Sequence, residues 1–487
     1  MRHSIPQEVL TVVTTLEDAG FEAYLVGGCT RDLLRNTIPK DWDLTTNANP
    51  EEIQQCFPDS FYENDFGTVG VKTESDNPTL KVIEVTPYRI ESTYSNARHP
   101  DEVTFSKNLT DDLQRRDFTM NAIAYNPIRD ELRDPYKGAE DIRLKRIITV
   151  GEPADRFEED ALRMVRAIRL AAELNFTIES KTAAAIATYA EHIKKVSKER
   201  VRDELIRIIA SDTPMQALFF AQRLGLMDYI IPELKDGIGC EQNQAHSYDV
   251  FEHLMRSLQH AADKNYSFDV RLAALLHDIG KPKSRRRDPV KNDYTFYGHE
   301  VIGARMTRKI LRNLKFPKDI AHNVEKLVRW HMFFSDPDQI TLSAVRRMIQ
   351  NVGVDHIQEL LELRTCDRIG TGRPKEQPFR FRKYKSMVDE ALRDPISVAM
   401  LNINGDKIIE ILGSGPGPQV GWILHALLEE VLDNPKQNTT EYLEDRAVEL
   451  AKLPVHELQK LGEKGKGRRE EEDEKEIEVL RKKHHVS

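Results

Sequence analysis

Two short segments near the N-terminus restrict the fold of this 487-residue chain more than any others. Gly27-Gly28 follows an apolar run and precedes a helix-like stretch, and Asp41-Trp42-Asp43 comes shortly afterwards. Successive side chains of a strand point to opposite faces, so Asp41 and Asp43 would project on the same side. Glycine lets backbone N–H groups approach an anion at the start of a helix. The pattern predicts a strand, a glycine turn, a helix and then a strand with paired carboxylates.

This arrangement suits phosphate chemistry. Two carboxylates can hold a pair of Mg²⁺ ions about 3.5–4 Å apart. Gly28 would let the backbone approach a phosphate, and Arg31 adds a guanidinium beside it. Phosphoryl-type transfer needs charge neutralised at the phosphate and an oxygen nucleophile aimed in line. We therefore expect nucleotidyl transfer with Asp41 and Asp43 as the catalytic Mg²⁺ ligands, and Glu84 in the strand "KVIEVT" is a possible third carboxylate.

Six segments between Tyr24 and Leu205 follow one another in the order of a known family. They read "YLVGGCTRDLL", "KDWDLTT", "LQRRDFTMNAIAY", "DPYKGAEDI", "RFEEDALRMVRAIRLAAELNF" and "KERVRDEL". Together they resemble the class II tRNA nucleotidyltransferases, or CCA-adding enzymes, and the related bacterial poly(A) polymerases. The resemblance implies an enzyme that adds C, C and A to the 3′ end of tRNA without a nucleic-acid template, from CTP and ATP.

The resemblance also implies how the nucleotide is held. Arg116 would contact the incoming nucleotide, and the helix "EEDALRMVRAIR" would read its base. On that helix Asp160 and Arg163 are three residues apart and share a face, which Arg166 and Arg169 extend. A carboxylate accepts hydrogen bonds and a guanidinium donates them, so the pair matches an amine beside an unprotonated ring nitrogen. Cytosine and adenine offer that pattern, whereas uracil and guanine place a carbonyl against Asp160 and are rejected.

A second group of residues lies in the middle of the chain. The segment "LAALLHDIGKP" resembles the HD superfamily of metal-dependent phosphohydrolases. Imidazole with carboxylate suits Mn, Fe, Ni, Co or Zn better than Mg alone. The resemblance implies a metal site that hydrolyses phosphate esters, such as 2′,3′-cyclic or 3′-phosphate ends. Its expected ligands are His253, His277, Asp278, His299, His331 and Asp367.

The residue pattern predicts an α+β fold. Residues 1–150 read as a catalytic head with a mostly antiparallel sheet, with helices over 6–18, 29–35 and 50–56. Residues 151–235 read as a helical neck that reads the nucleotide and binds RNA, 236–390 as the HD-type domain and 391–462 as a helical RNA-docking region. The charge-dense residues 463–487 read as a disordered or singly helical tail. A polar loop from Glu91 to Pro100 is expected close to the site.

Composition excludes several other classes. The net charge of −9 argues against a surface covered in nucleic-acid contacts, although a local basic surface can exist, and DNA is not expected as a partner. The four cysteines lie far apart, as in reduced intracellular proteins. No run of residues approaches membrane-spanning length, and no apolar leader begins the chain. We expect a cytoplasmic protein that binds tRNA and not a membrane.

Three other readings stay open at this level. The enzyme could be a poly(A) polymerase or a tRNA nucleotidyltransferase that adds only A or only CC, because the head motifs barely separate these activities. It could instead be an HD phosphohydrolase with a vestigial head, or a non-catalytic RNA-binding protein. The intact acids at Asp41, Asp43 and Asp160 argue against both of the latter readings.

Overall fold

The computed structural model describes residues 5–62, 67–91, 103–243, 246–288, 292–333, 340–413 and 415–463. The chain divides into two compact units between Pro232 and Glu233. The first unit combines a sheet with helices, and the second is almost entirely helical. Within the described residues, no helix is both long and apolar enough to span a bilayer.

The first unit contains eleven α-helices and eleven strands among the described residues. Its helices are α1 Gln7–Asp18, α2 Gly28–Leu34, α3 Pro50–Cys56, α4 Leu109–Gln114, α5 Gly138–Arg143, α6 Pro153–Glu159, α7 Leu162–Leu174, α8 Ser180–Tyr189, α9 Lys198–Ala210, α10 Pro214–Arg223 and α11 Met227–Ile230. Its strands are β1 Ala23–Val26, β2 Asp43–Thr46, β3 Ser60–Tyr62, β4 Val69–Lys72, β5 Val82–Pro87, β6 Arg89–Glu91, β7 Val103–Phe105, β8 Ala124–Asn126, β9 Glu131–Arg133, β10 Arg146–Ile147 and β11 Thr177–Ile178.

Seven of these strands form the head sheet, in the order β3-β4-β5-β2-β1-β8-β9. Strands β2 and β5 run parallel, and every other neighbouring pair in this sheet is antiparallel. One face packs on α1, where Val9, Leu16, Leu25 and Leu44 are buried together. The expected fold, a head with a mostly antiparallel sheet followed by a helical body, is therefore confirmed.

The helices of the head begin and end close to their predicted bounds. Helix α3 matches its prediction, because Asn49 and Glu52 form a capping box and Pro50 occupies its first turn. The predicted strand "DWDLTT" starts two residues late, since β2 begins at Asp43. The run "LKVIEVTPYR" is interrupted at Tyr88, and its last part, β6, pairs with β7 outside the main sheet.

The second unit contains twelve α-helices and one hairpin among the described residues. Its elements are α12 Val250–Asp263, α13 Phe268–Leu276, α14 Lys281–Ser284, β12 Arg286–Asp288, β13 Asp293–Thr295, α15 His299–Asn313, α16 Lys318–Trp330, α17 Leu342–Val352, α18 Ile357–Gly370, α19 Phe379–Ala391, α20 Gly405–Leu412, α21 Pro418–Asp433, α22 Thr440–Ala451 and α23 Val455–Glu463. Strands β12 and β13 pair antiparallel to form that hairpin. The predicted tail beyond Glu463 and most of the predicted loop from Glu91 to Pro100 lie outside the described residues.

Candidate active site and metal centre

The turn between β1 and α2 gathers groups from three parts of the head. Gly27 has a positive φ of 73°, a conformation that glycine adopts without strain. A Cβ built on Gly27 would lie 3.3 Å from Nη1 of Arg116 and 3.4 Å from Oδ2 of Asp43. The absence of a side chain at Gly27 therefore lets a guanidinium and a carboxylate close on the turn from two sides.

Helix α2 presents Arg31 on the same turn. Gly28 is its first residue, and a Cβ there would lie 3.7 Å from Nη2 of Arg31. The Arg31 guanidinium donates to Oδ1 of Asn121 at 3.0 Å and pairs with Asp32. These contacts fix a cation beside the turn, where the sequence places a phosphate-binding group.

Two carboxylates lie side by side at the edge of this turn. Asp43 and Glu84 are register partners in the parallel strands β2 and β5, so their side chains share one face of the sheet. Asp41 is exposed and lies two residues before Asp43, with the buried Trp42 between them. The donors are all carboxylate oxygens, which fits Mg²⁺. Glu84 could be placed here only from the strand pairing.

Arg116 is held by a carboxylate that the sequence analysis did not single out. Asp112 is fully buried, and its Oδ2 accepts a hydrogen bond from Nη2 of Arg116 at 3.0 Å. The same carboxylate pairs with Arg115 at 2.5 Å. Burial alone would raise the pKa of Asp112, but the two guanidinium groups outweigh it and lower that pKa. Asp112 thus stays ionised and orients the arginine that faces Gly27.

Asp160 lies in a break between two helices. The prediction that Asp160 and Arg163 lie on one continuous helix is wrong, because α6 ends at Glu159 and α7 begins at Leu162. The extended backbone of Asp160 lets its carboxylate accept the N–H of Leu162 at 3.0 Å. Nη2 of Arg200 on α9 lies 2.7 Å from Oδ2 of the same carboxylate. The break therefore orients a carboxylate that a regular helix would have pointed elsewhere.

Arg163 ties the start of α7 to the segment that carries Arg116. Its Nη2 donates to the backbone oxygen of Arg115 at 3.0 Å, and its Nη1 donates to Oε2 of Glu159 at 2.7 Å. The side chain is largely buried. The proposed base-reading residues and the Gly27 turn are thus linked through two consecutive residues of the chain.

Arg166 and Arg169, expected to extend the nucleotide-binding face, are both paired with acids. Arg166 contacts Oδ2 of Asp117 at 2.9 Å and lies 3.5 Å from Glu204. Arg169 is buried and pairs with Glu204 and with Glu173. Burial would raise the pKa of Asp117, but Arg166 and a hydrogen bond from Asn121 lower it to about 2. Arg166 joins α7 to Asp117 of the head, and both arginines join α7 to Glu204 on α9.

Three partners in this region were not predicted from the sequence: Asp112, Arg200 and Glu204. Arg200 and Glu204 both lie in "KERVRDEL", a segment that already carried the family resemblance. Their spacing of four residues places them on one face of α9. A basic and an acidic residue on the same helix face was the sequence pattern that could have indicated their ion-pairing role. Asp112 had no such signal, because its role depends on burial.

The expected ligands of the second unit come together in its core. Nε2 of His253 lies 2.9 Å from Nε2 of His277 and 3.0 Å from Oδ2 of Asp278. Oδ1 of Asp367 lies 3.5 Å from Nε2 of His253. On the other side of Asp278, Oδ1 lies 3.1 Å from Nε2 of His299.

Two overlapping groups result, and Asp278 belongs to both. One consists of His253, His277, Asp278 and Asp367, and the other of Asp278, His299 and His331. The two oxygens of Asp278 face different groups. Asp278 could therefore contribute an oxygen to a metal ion held by either group.

The histidines are oriented through their outer nitrogens. Nδ1 of His277, His299 and His331 lies 3.0, 2.7 and 2.7 Å from a backbone oxygen. A carbonyl oxygen only accepts, so each Nδ1 carries a proton and each Nε2 faces the interior of the cluster. The Nε2 atoms of His299 and His331 are 3.3 Å apart. The mixed nitrogen and oxygen donors of the cluster fit a transition metal.

The charges around this cluster favour ionised carboxylates. Burial opposes ionisation, yet Lys281 and His277 hold the pKa of Asp278 well below its usual range. The pKa of Asp367 is also held low, with Arg364 the strongest opponent of burial. Lys281 is not one of the six expected ligands, but its Nζ lies 2.6 Å from Oδ2 of Asp278. Lys281 follows the His277-Asp278 pair in "HDIGKP", and no role was predicted for it.

Comparison with known proteins agrees with this layout. Residues 23–148 match the family described as the poly A polymerase head domain, 175–238 a probable RNA and SrmB-binding site of polymerase A, and 250–365 the HD domain.

The A-adding tRNA nucleotidyltransferase of Deinococcus radiodurans is 32% identical over 418 residues, which cover 84% of this chain and 91% of that protein. The CCA-adding enzyme of Lactobacillus helveticus is 31% identical over 452 residues, 90% of this chain and 96% of that protein. Among solved structures, the Bacillus stearothermophilus CCA-adding enzyme in complex with CTP aligns with a TM-score of 0.68 at 26% identity, covering 91% of this chain and 96% of the other.

Proposed function

The chain belongs to the tRNA nucleotidyltransferase family, and from this premise we propose that it adds C, C and A in turn to the 3′ end of tRNA, using CTP and ATP. The convergence of Asp43 and Arg116 on Gly27 carries the proposal, because it puts a metal-binding carboxylate and a phosphate-binding cation on one glycine turn. The name of the Lactobacillus helveticus relative supports the full sequence of additions. The CTP bound to the Bacillus stearothermophilus enzyme supports the nucleotide class.

Each candidate residue of the head then has a proposed role in the reaction. Asp41 and Asp43 hold Mg²⁺, which supplies charge neutralisation at the triphosphate and activation of the RNA 3′-hydroxyl. Gly28 and Arg31 border the phosphates, and Arg116 binds the incoming nucleotide. Glu84 adds a third carboxylate beside Asp43.

The base is chosen by Asp160 and Arg163. Asp160 accepts the exocyclic amine of cytosine or adenine, and Arg163 donates to the neighbouring ring nitrogen. A base with a carbonyl at the amine position leaves Asp160 unpaired and is rejected. Arg166 and Arg169 serve this site through their ion pairs with Asp117 and Glu204, which fix α7 against the rest of the unit.

A partial activity is the second candidate. The Deinococcus radiodurans relative is named an A-adding enzyme and matches this chain over a similar length. Addition of A alone requires the same acids and the same base-reading pair. The two activities therefore differ in their products and not in any residue described above.

We also propose that residues 236–390, within the second unit, form a metal-dependent phosphohydrolase. The position of Asp278 between two ligand groups supports it, as does the inward orientation of the histidine Nε2 atoms. A transition metal bound there would supply a metal-activated water. In hydrolysis of a 3′-phosphate, the water oxygen bonds to phosphorus, the bond to the ribose 3′-oxygen breaks, and that oxygen leaves with a proton from the water.

The five-part division follows from these roles. We propose a catalytic head over 1–150, a nucleotide-reading neck over 151–235, an HD domain over 236–390, an RNA-docking region over 391–462 and a charged tail over 463–487. Recognition of tRNA would rest on shape and backbone charge.

One experiment tests the transferase and separates its two candidates. The protein is incubated with Mg²⁺ and tRNA that ends before CCA, or after CC, with each nucleoside triphosphate singly and with all four together. The 3′ ends are then sequenced. Ends in CCA from the first substrate support full addition, and extension of the CC substrate alone supports A addition. No extension of either substrate overturns the proposal.

A further inference from the structure

A chain of three hydrogen bonds connects the glycine turn to helix α7. Nη1 of Arg31 donates to Oδ1 of Asn121 at 3.0 Å, and Nδ2 of Asn121 donates to Oδ1 of Asp117 at 3.0 Å. Oδ2 of Asp117 accepts from Nε of Arg166 at 3.0 Å. Arg166 lies three residues after Arg163 on α7. The proposed phosphate-binding arginine is therefore linked through two side chains to the helix that carries the proposed base-reading arginine.

The amide of Asn121 makes this chain possible. A guanidinium only donates hydrogen bonds and an ionised carboxylate only accepts them, whereas an amide does both. The partners therefore fix the orientation of the amide, with its oxygen towards Arg31 and its nitrogen towards Asp117. An ionised aspartate at this position could accept from Arg31 but could not donate to Asp117, and an alanine could do neither.

Burial makes the central links of the chain stiff. Asn121 and Asp117 are 7% and 8% exposed. A buried polar group that is left unpaired costs about 1–3 kcal/mol. Oδ1 of Asp117 also accepts the N–H of Phe118 at 2.8 Å, and the N–H of Asn121 bonds to the oxygen of Phe118 at 2.9 Å. Neither side chain can therefore turn away from the other without leaving a buried group unpaired.

Each end of the chain has a second partner. Nε of Arg31 lies 3.0 Å from Oδ1 of Asp32, and Nη1 of Arg166 lies 3.5 Å from Oε1 of Glu204 on α9. Among the described residues, Arg31 uses three of its five donors on Asp32 and Asn121, which leaves two for a phosphate. A phosphate at the turn would thus meet a guanidinium whose position is already tied to α7.

We propose that Asn121 is a positioning residue that couples binding of the triphosphate to selection of the base. A phosphate on Arg31 holds one end of the chain, and the bonds through Asn121 and Asp117 hold α7 at the other. The helix then presents Arg163 to the base in a fixed position. Coupling is reciprocal, so the correct base also strengthens the contact with the triphosphate. The identity of the ligand rests on the proposed transferase, but the coupling is measured in binding, without catalysis.

The coupling is measured on the full-length protein with Mg²⁺ and without tRNA. Affinities for CTP and UTP are obtained by calorimetric titration, and those for CMP and UMP by competition against CTP. In wild type, the preference for CTP over UTP should exceed the preference for CMP over UMP by about fivefold or more. In Asn121→Ala the two preferences should be equal, because the triphosphate no longer acts on α7. A residue that only stabilised the fold would leave the difference between the two preferences unchanged.

A matched control and a second variant separate positioning from stability. Asn49→Ala removes the side chain that caps α3 in the same unit and should cost about 1 kcal/mol of stability without changing the coupling. Asn121→Asp keeps the acceptor for Arg31 and should also lose the coupling, because two carboxylates then face each other. Thermal unfolding of each variant checks the fold, and Asn121→Asp decides the test if Asn121→Ala does not fold.

Extension of tRNA by the wild-type protein, measured in parallel, decides the transferase independently. Equal preferences in wild type, or a difference that persists in the Asn121 variants, overturns the coupling and leaves the transferase standing where tRNA is extended. A difference that disappears in the Asn121 variants but not in Asn49→Ala supports the coupling, whether or not tRNA is extended. A difference that is lost in Asn49→Ala as well makes the effect one of stability and overturns the coupling. A wild-type protein that binds neither CTP nor UTP overturns both proposals.

Discussion

The carboxylate of Asp160 is paired with the guanidinium of Arg200, with Nη2 2.7 Å from Oδ2 and Nη1 3.3 Å from Oδ1. Both oxygens of the proposed base-reading acid are therefore engaged by one side chain from α9. A two-point contact of this kind fixes the plane of a carboxylate as well as its position. Arg200, which belongs to neither α6 nor α7, thus sets the direction in which Asp160 accepts a hydrogen bond.

Arg200→Ala should reduce selectivity for CTP and ATP over UTP and GTP about tenfold or more, because Asp160 loses the contact that fixes its orientation. Arg200→Lys keeps the charge without the fork and should give an intermediate result. Relative incorporation of the four nucleotides measures the effect. Arg202→Ala, which removes an ion pair with the exposed Asp203 on the same helix, is the control. Unchanged selectivity in Arg200→Ala would show that Asp160 is oriented by its own backbone.

Gly27→Ala should nearly abolish nucleotide addition. The new Cβ would have a positive φ and would press on Arg116 and Asp43. Gly20 has φ +86°, and a Cβ there meets nothing within 4 Å, so Gly20→Ala imposes backbone strain alone. Both variants should lose about 1 kcal/mol of stability. Nucleotide addition and thermal unfolding are measured on both variants. Activity that falls in Gly27→Ala but persists in Gly20→Ala would show that the loss comes from the contacts with Arg116 and Asp43 and not from backbone strain. Equal activity in both variants would show that the turn tolerates a side chain.

Local sequence pattern was sufficient for much of this architecture. Helix α3 could be placed because Asn49, Pro50 and Glu52 form a capping signal, and the head strands because their apolar runs end in turns. The side-by-side position of Asp43 and Glu84 could not be derived, since it depends on pairing between strands separated by a long connection. The break at Asp160 was also missed, because apolar spacing continues across it and the acid's contact with Arg200 overrides helical periodicity.

Ion pairing around Asp117 predicts a pH dependence of stability. Its pKa in the folded protein is about 2, below its usual value of 3.8. A carboxyl with a depressed pKa stabilises the fold above its unfolded pKa, and that contribution is lost as pH falls through the folded pKa. Asp117→Asn should therefore be less stable than wild type at pH 7 by about 2 kcal/mol. The difference should shrink as pH falls from about 4 to 2. Denaturant unfolding of both proteins across this range measures it, and a pH-independent difference would contradict the shift.

Asp43→Ala should lower nucleotide addition by more than about a hundredfold, because the proposed metal ligand is lost. Asp41→Ala should have a comparable effect. Asp59→Ala, which removes an exposed acid paired with Lys72 in the same unit, is the control. Single-turnover extension of tRNA with Mg²⁺ measures the rates, and circular dichroism checks the fold. Near-normal addition by either Asp43→Ala or Asp41→Ala would place the metal elsewhere.

Replacing His277 and Asp278 together with alanine should remove transition metal and phosphohydrolase activity but leave nucleotide addition intact. Both residues belong to the buried cluster of the second unit, whereas the proposed metal ligands of the transferase are carboxylates of the first. The cluster offers nitrogen-rich donors for a transition metal, and the head offers only oxygens for Mg²⁺. Elemental analysis, addition to tRNA and hydrolysis of a 2′,3′-cyclic nucleotide are measured on both proteins.

The control for this double variant replaces His356 with alanine, because His356 pairs with Glu359 outside the cluster. It should keep the metal and both activities. A folded double variant that loses its metal and also stops adding nucleotides would show that the two sites depend on each other. A wild-type protein that takes up no transition metal, even after reconstitution, would make the six ligands structural.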